Sequence, residues 1–149
     1  MPNLVITASS LALASGGNVV GAFNAGYAAA QGDFVYLDSA NLWQKILANG
    51  TPAQSGASSG SSGIGIVMSG CAASGQPITT WVPTQGVSSQ ITIGATTTAG
   101  IVYVASATTG KIAQSTDLTA GQFITVLGVG ISATKIECMG WVATGVGHG

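Results

Sequence analysis

From Asp33 onward, short runs of β-branched and aromatic residues recur about every ten residues, each bounded by Gly, Ser, Thr, Asn or Asp. That spacing is too short for helices and loops to alternate, and it predicts an all-β fold, a small β-sandwich or β-barrel. The runs predict strands over 34–37, 42–47, 64–68, 78–82, 90–93, 101–104, 111–113, 122–129 and 135–142. Phe34-Val35-Tyr36-Leu37 is apolar on both faces, as a buried strand requires. Turns are expected at Asp38–Asn41 and at Ala48-Asn49-Gly50-Thr51, the latter with the strongest short hairpin signal in the chain. No window carries apolar residues at three-and-four spacing with charges on the far face, so helix is limited to a turn near 25–31 or 39–43.

The runs also repeat at longer range. Phe34 to Ala40 aligns with Ile101 to Ala107, Lys45-Ile46 with Lys111-Ile112, and Gly63 to Val67 with Leu127 to Ile131. Two similar hairpin units closing over one core would produce this pattern.

Ahead of these strands, residues 1–30 have no charged side chain and no regular alternation. They carry apolar clusters at Leu4-Val5-Ile6, Leu11 and Leu13, and Val19-Val20 with Phe23. A segment with apolar anchors but no core of its own suits an extended N-terminal arm lying on another surface. The division expected is an arm over 1–30 and a single β-rich domain over 31–149. A signal peptide is disfavoured, because the cationic flank is missing and Thr7, Ser9 and Ser10 break the apolar stretch.

Charge is the scarcest resource. Lys45, Lys111 and Lys135 face Asp33, Asp38, Asp117 and Glu137, with no arginine, for a net charge of −1. Gly, Ala, Ser and Thr fill just over half of the 149 positions. Three scattered lysines cannot neutralise a phosphate backbone, which argues against nucleic acid as a partner. No run of about 20 apolar residues is present for a membrane span, and the few aromatics do not form the girdles of an outer-membrane barrel, so no membrane partner is expected. At 46% hydrophobic residues the chain has ample surface to bury. So little charge protects an isolated copy poorly against self-association, which points to life in an assembly.

The catalytic inventory is thin. The one histidine, His148, sits between glycines beside the chain end, where nothing holds an imidazole against a substrate. A histidine triad and a multi-histidine metal site therefore have no members. Gly56-Ala57-Ser58-Ser59-Gly60 matches a nucleophile-elbow pattern inside a low-complexity Ser/Gly stretch, 54–63, that reads as an exposed loop. Gly128-Val129-Gly130-Ile131-Ser132-Ala133 matches a dinucleotide fingerprint, yet strand-like residues follow where a helix and a distant carboxylate are needed. Glycines permitting a bend in a closing strand explain it better. Asp33 and Asp38 lie at opposite ends of one strand, too far apart for a carboxylate pair. Cys71 and Cys138 have no metal spacing and read as reduced, packed thiols. Neither a cofactor, a metal site nor enzymatic activity is expected. Trp43, Trp81 and Trp141 read as strand packing residues, with Trp141 the one suited to an interface.

Three stretches carry a family resemblance: Gly32-Asp33-Phe34-Val35-Tyr36-Leu37-Asp38, the run Ile91 to Tyr103 (ITIGATTTAGIVY), and Gly110-Lys111-Ile112-Ala113 through Asp117 to Val129 (DLTAGQFITVLGV). As an ordered set over about Ala25 to Glu137 they resemble the capsid decoration, or cement, proteins of tailed bacteriophages. The resemblance implies a β-rich structural protein, often a homotrimer, that binds the major capsid protein on the outside of the phage head and stabilises it. It brings no catalytic residues. The contact residues expected are Leu4, Val5, Ile6, Leu11, Leu13, Val19, Val20 and Phe23 of the arm, together with Trp141. Virion tail, baseplate or fibre proteins share this texture, and a glycan-binding module using Trp43 or Trp81 is a further alternative.

Overall fold

The computed structural model describes residues 3–56, 63–84 and 86–138, and the backbone of a C-terminal strand over 142–147. Most of the Ser/Gly stretch with its elbow-like match, and also Trp141 and His148, lie outside the described residues.

The described residues form strands β1 (Leu11–Ser15), β2 (Asn18–Val20), β3 (Asn24–Ala25), β4 (Phe34–Leu37), β5 (Leu42–Lys45), β6 (Ile64–Ser69), β7 (Thr79–Val82), β8 (Ser89–Ile93), β9 (Val102–Ala105), β10 (Ile112–Gln114), β11 (Phe123–Gly130), β12 (Lys135–Cys138) and β13 (Val142–Gly147). Ala8–Ser10 and Ser115–Asp117 form 3-10 turns. One sheet has the order β1-β8-β12-β11-β9-β10, and β13 resumes the pairing with β11 on the side that β12 leaves. The other has the order β2-β7-β6-β4-β5-β3. Every pairing is antiparallel except β3 with β5. The two sheets pack together as a small β-sandwich, and both are open.

The core between them is one cluster. Phe34, Trp43, Ile64, Ile66 and Trp81 from one sheet and Ile91, Ile93, Tyr103, Ile112, Leu127 and Ile136 from the other are fully buried. Burial of aliphatic side chains of this size stabilises by roughly 1.5–3 kcal/mol each, which is where a chain with so few charges finds its stability.

The repeat seen in the sequence is present in the topology. β5-β4-β6-β7-β2 of one sheet and β10-β9-β11-β12-β8 of the other have the same order and the same antiparallel pairing, and each follows the chain through the same succession of strands. Gly128 and Gly130 sit in β11, whose register with β9 shifts between Val126 and Gly128. A Cβ on Gly128 would overlap the Glu137 carbonyl, and one on Gly130 the Thr98 carbonyl. These glycines serve a bulge and a close backbone approach, as the strand reading required.

The N-terminal residues have a larger part in the sandwich than an arm has. β1 pairs with β8, β2 with β7 and β3 with β5, so residues 11–25 are strands of both sheets. Upstream, the Leu4 N–H donates to the Ile112 carbonyl on β10 and the Thr7 N–H to the Gly94 carbonyl just after β8. Downstream, Asn24 bridges Pro77, ahead of β7, while Ala25 pairs with Trp43 of β5. The segment therefore reaches both outer strands of each five-strand repeat, and covers sheet edges that would otherwise offer unpaired backbone groups.

Candidate functional site

The expected contact residues divide by which way they face. Val5 (84% exposed), Leu13 (52%) and Val19 (51%) project to solvent. Leu11 is buried in the core at 6% exposure, so it holds the segment down and is closed to a partner. Leu4, Ile6, Val20 and Phe23 are partly buried and pack against the core, and Phe23 meets the Trp43 ring edge-on with centroids 6.4 Å apart. The alternation Leu4-Val5-Ile6 and Val19-Val20 is that of an extended chain with one face in and one face out. Trp141 falls outside the described residues.

Leu13 and Val19 flank the Gly16-Gly17 turn that passes the chain from β1 in one sheet to β2 in the other. Both glycines have positive φ, 64° and 72°, which a glycine adopts without strain. Gly17 lies flat on Trp81, where a Cβ would overlap the indole, and the Trp81 N–H donates to the Gly16 carbonyl at 3.3 Å. Ser88 and Ser89 abut Gly16, and next to them Val87 is 54% exposed. Val87 is an exposed apolar residue that sequence reading missed, because nothing in a Gly-Val-Ser-Ser turn marks which way the valine faces.

Trp43 and Trp81 are fully buried. They pack the core as expected, and neither can stack on a sugar, which removes the tryptophan platform suggested for a glycan-binding module.

A second feature lies at the outer edge of β5. An open groove of about 490 Å3 is lined by Tyr27, Tyr36, Asp38, Gln44, Lys45, Gln54 and Thr109. Beside it is Asp33, 3% exposed, whose Oδ2 accepts from the Tyr27 hydroxyl and the Ala30 N–H, each at 3.0 Å. The Lys45 ammonium stands 3.9 Å from the same oxygen and 5.1 Å from the centre of the Tyr27 ring. Burial, then the Asp33 charge and the hydrogen bond to it, push the Tyr27 phenol well above its ordinary value, so it stays a hydrogen-bond donor. Asp38 closes the β4–β5 turn. Its Oδ1 accepts from the Ala40 and Leu42 N–H groups, both at 2.9 Å, and its Oδ2 from the Gln44 amide at 3.0 Å. Burial alone would raise the Asp38 pKa, but these three donors outweigh it and hold the carboxyl below its ordinary range. Burial and the Asp38 charge raise the Tyr36 phenol.

Asp33 and Asp38 thus have separate partners and form no carboxylate pair. Cys71 and Cys138 are free thiols, Cys71 half-buried and Cys138 buried. Among the described residues no three His, Cys, Asp or Glu side chains are grouped to hold a metal ion, and no helix is long and apolar enough to cross a membrane. Compared with protein-family models, with curated proteins and with solved structures, the chain matches none of them.

Proposed function

We propose that this protein is a structural virion component, a capsid decoration protein that binds the outer surface of a phage head and stabilises the shell. The observation that carries the reading is the uncharged N-terminal segment with Val5, Leu13 and Val19 turned to solvent while its other apolar residues anchor it to both sheets. Exposed apolar side chains on a rigid backbone favour a partner surface, and a partner met in many copies needs only a modest contact at each. The ordered resemblance over about Ala25 to Glu137 supports the same reading. In this proposal the partners are the major capsid protein and other copies of this chain, arranged as a homotrimer, and the location is the capsid exterior. Because the protein binds the assembled lattice and not the free subunit, it stabilises the assembled state by mass action.

Quantitative mass spectrometry of purified virions tests the reading. Copies stoichiometric with the major capsid protein support it. A copy number matching the tail, or labelled protein located on the tail by electron microscopy, overturns it in favour of a tail, baseplate or fibre role.

A further inference from the structure

The groove at the edge of β5 differs in kind from the apolar segment. Its lining comes from four separate stretches of chain: Tyr27, the β4–β5 hairpin, Gln54 and Thr109. Its volume of about 490 Å3 falls within the range of roughly 300–1,000 Å3 usual for small-molecule clefts.

The hydrogen bonds already made decide what the groove can offer. The Gln44 amide nitrogen is committed to Asp38, which leaves its carbonyl oxygen as a free acceptor. The Gln54 carbonyl oxygen accepts from the Thr51 N–H at 2.9 Å, which leaves its amide nitrogen as a free donor. Among the described residues the hydroxyls of Tyr36 and Thr109 have no hydrogen-bond partner, and a hydroxyl can both donate and accept.

Charge narrows the ligand further. The one cation, Lys45, stands beside the buried Asp33, and the one carboxylate in the lining, Asp38, already accepts three hydrogen bonds. The lining holds one ammonium and one carboxylate, so its net charge favours neither an anion such as phosphate nor a cation. Besides that balanced pair, the lining offers neutral donors and acceptors beside two tyrosine rings. Such a set matches a ligand with alternating hydroxyls and an apolar C–H face.

We infer that this groove binds a neutral saccharide, with the Gln44 oxygen, the Gln54 amide and the Tyr36 and Thr109 hydroxyls as its polar contacts. The site does not depend on capsid binding, since Val5, Leu13 and Val19 are not in its lining. On a virion it would give each copy a weak sugar contact, and many copies would multiply that contact into avidity.

The test applies the full-length protein to an array of neutral glycans and follows the strongest binder by two-dimensional NMR, with inorganic phosphate as the charged probe. Saturable shifts at Tyr36, Gln44, Gln54 and Thr109, weakened about tenfold in Gln54→Ala and in Thr109→Val, are the result expected from losing one directed hydrogen bond. Both substitutions are at exposed positions, so an unchanged thermal midpoint shows that the fold is kept. Absence of any neutral binder, binding that both variants leave unchanged, or a response to phosphate alone would overturn the assignment.

Discussion

The Leu4 N–H donates to the carbonyl of Ile112 at 2.8 Å, tying the start of the chain to the outer strand of a sheet whose opposite edge is β1 of the same segment. Asn3 reinforces the tie, bonding the Ser106 hydroxyl at 2.5 Å and the Thr108 hydroxyl at 3.0 Å. One uncharged stretch of chain thus closes edges in both sheets while keeping Val5, Leu13 and Val19 outside.

Removing this stretch and blunting its outer face have different consequences. Deleting residues 1–26 strips the pairing partners from β5, β7, β8 and β10 and takes Leu11 from the core, so the truncated chain is expected to aggregate or to unfold without a cooperative transition. The triple variant Val5→Ser, Leu13→Ser, Val19→Ser touches only exposed side chains. Its thermal midpoint should stay near that of the parent while its occupancy on capsids falls severalfold, measured by co-sedimentation. Full occupancy in the triple variant would move the capsid contact to another face.

The two buried tryptophans should respond unequally to truncation. The Trp81 N–H is bonded to Gly16, whereas the Trp43 Nε1 is buried with no partner among the described residues. Trp43→Phe removes an unsatisfied donor as well as volume, which offsets part of the cavity cost. Trp81→Phe takes a hydrogen bond from the Gly16 carbonyl in addition to the lost volume. Urea unfolding should therefore find Trp81→Phe the more destabilising by about 1 kcal/mol.

The thiols give a pH test. Burial, and then the neighbouring Glu137 charge, push the Cys138 thiol from 9.0 up to about 12. As pH rises above the ordinary thiol value, the unfolded chain releases this proton while the folded chain keeps it, so folding stability falls through the window from about 9 toward about 12. Cys138→Ala should flatten that decline in unfolding experiments across the window. At pH 8 a thiol reagent should label the half-buried Cys71 in the native protein and reach Cys138 only on unfolding. Equal labelling rates would contradict the burial of Cys138.

Legibility in the sequence followed burial. Strands β4 to β11 stand within a residue or two of their predicted positions, because a strand buried on both faces needs a run such as Phe34 to Leu37 and a turn on either side, whereas the strand expected over 135–142 is β12 ending at Cys138, with β13 beginning at Val142. β1 to β3 carry no such signal, because edge strands pair on one side and show solvent the other, so Leu11–Ser15 has one buried residue and four exposed ones. The Asn49-Gly50 signal produced a turn but no hairpin. A tight hairpin turn forms at Asp38–Asn41, where the Asp38 carboxylate gathers the backbone and Asn41 takes φ 60°. Of the contact residues, the sequence marked the apolar ones but could not separate Leu11, which is buried, from Leu13, which is not. The groove left no local signal at all, since Tyr27, Gln44, Gln54 and Thr109 meet only through the packing of distant segments.

Ionic strength separates apolar attachment from charge pairing. The segment with the exposed valines and leucine has no charged side chain between Asn3 and Gly32, so a contact made through it has no ion pair for salt to weaken. Raising salt from about 0.1 M to about 1 M shortens the screening length from about 10 Å to about 3 Å. Over that range occupancy on capsids should stay flat in chloride and hold or rise in sulfate, which strengthens apolar burial by its exclusion from protein surfaces. Titration of labelled protein onto capsids at each salt concentration measures this directly. A steep loss of occupancy would mean that charged residues such as Lys45, Lys111 or Lys135 meet an oppositely charged capsid surface, and the contact would then lie around them.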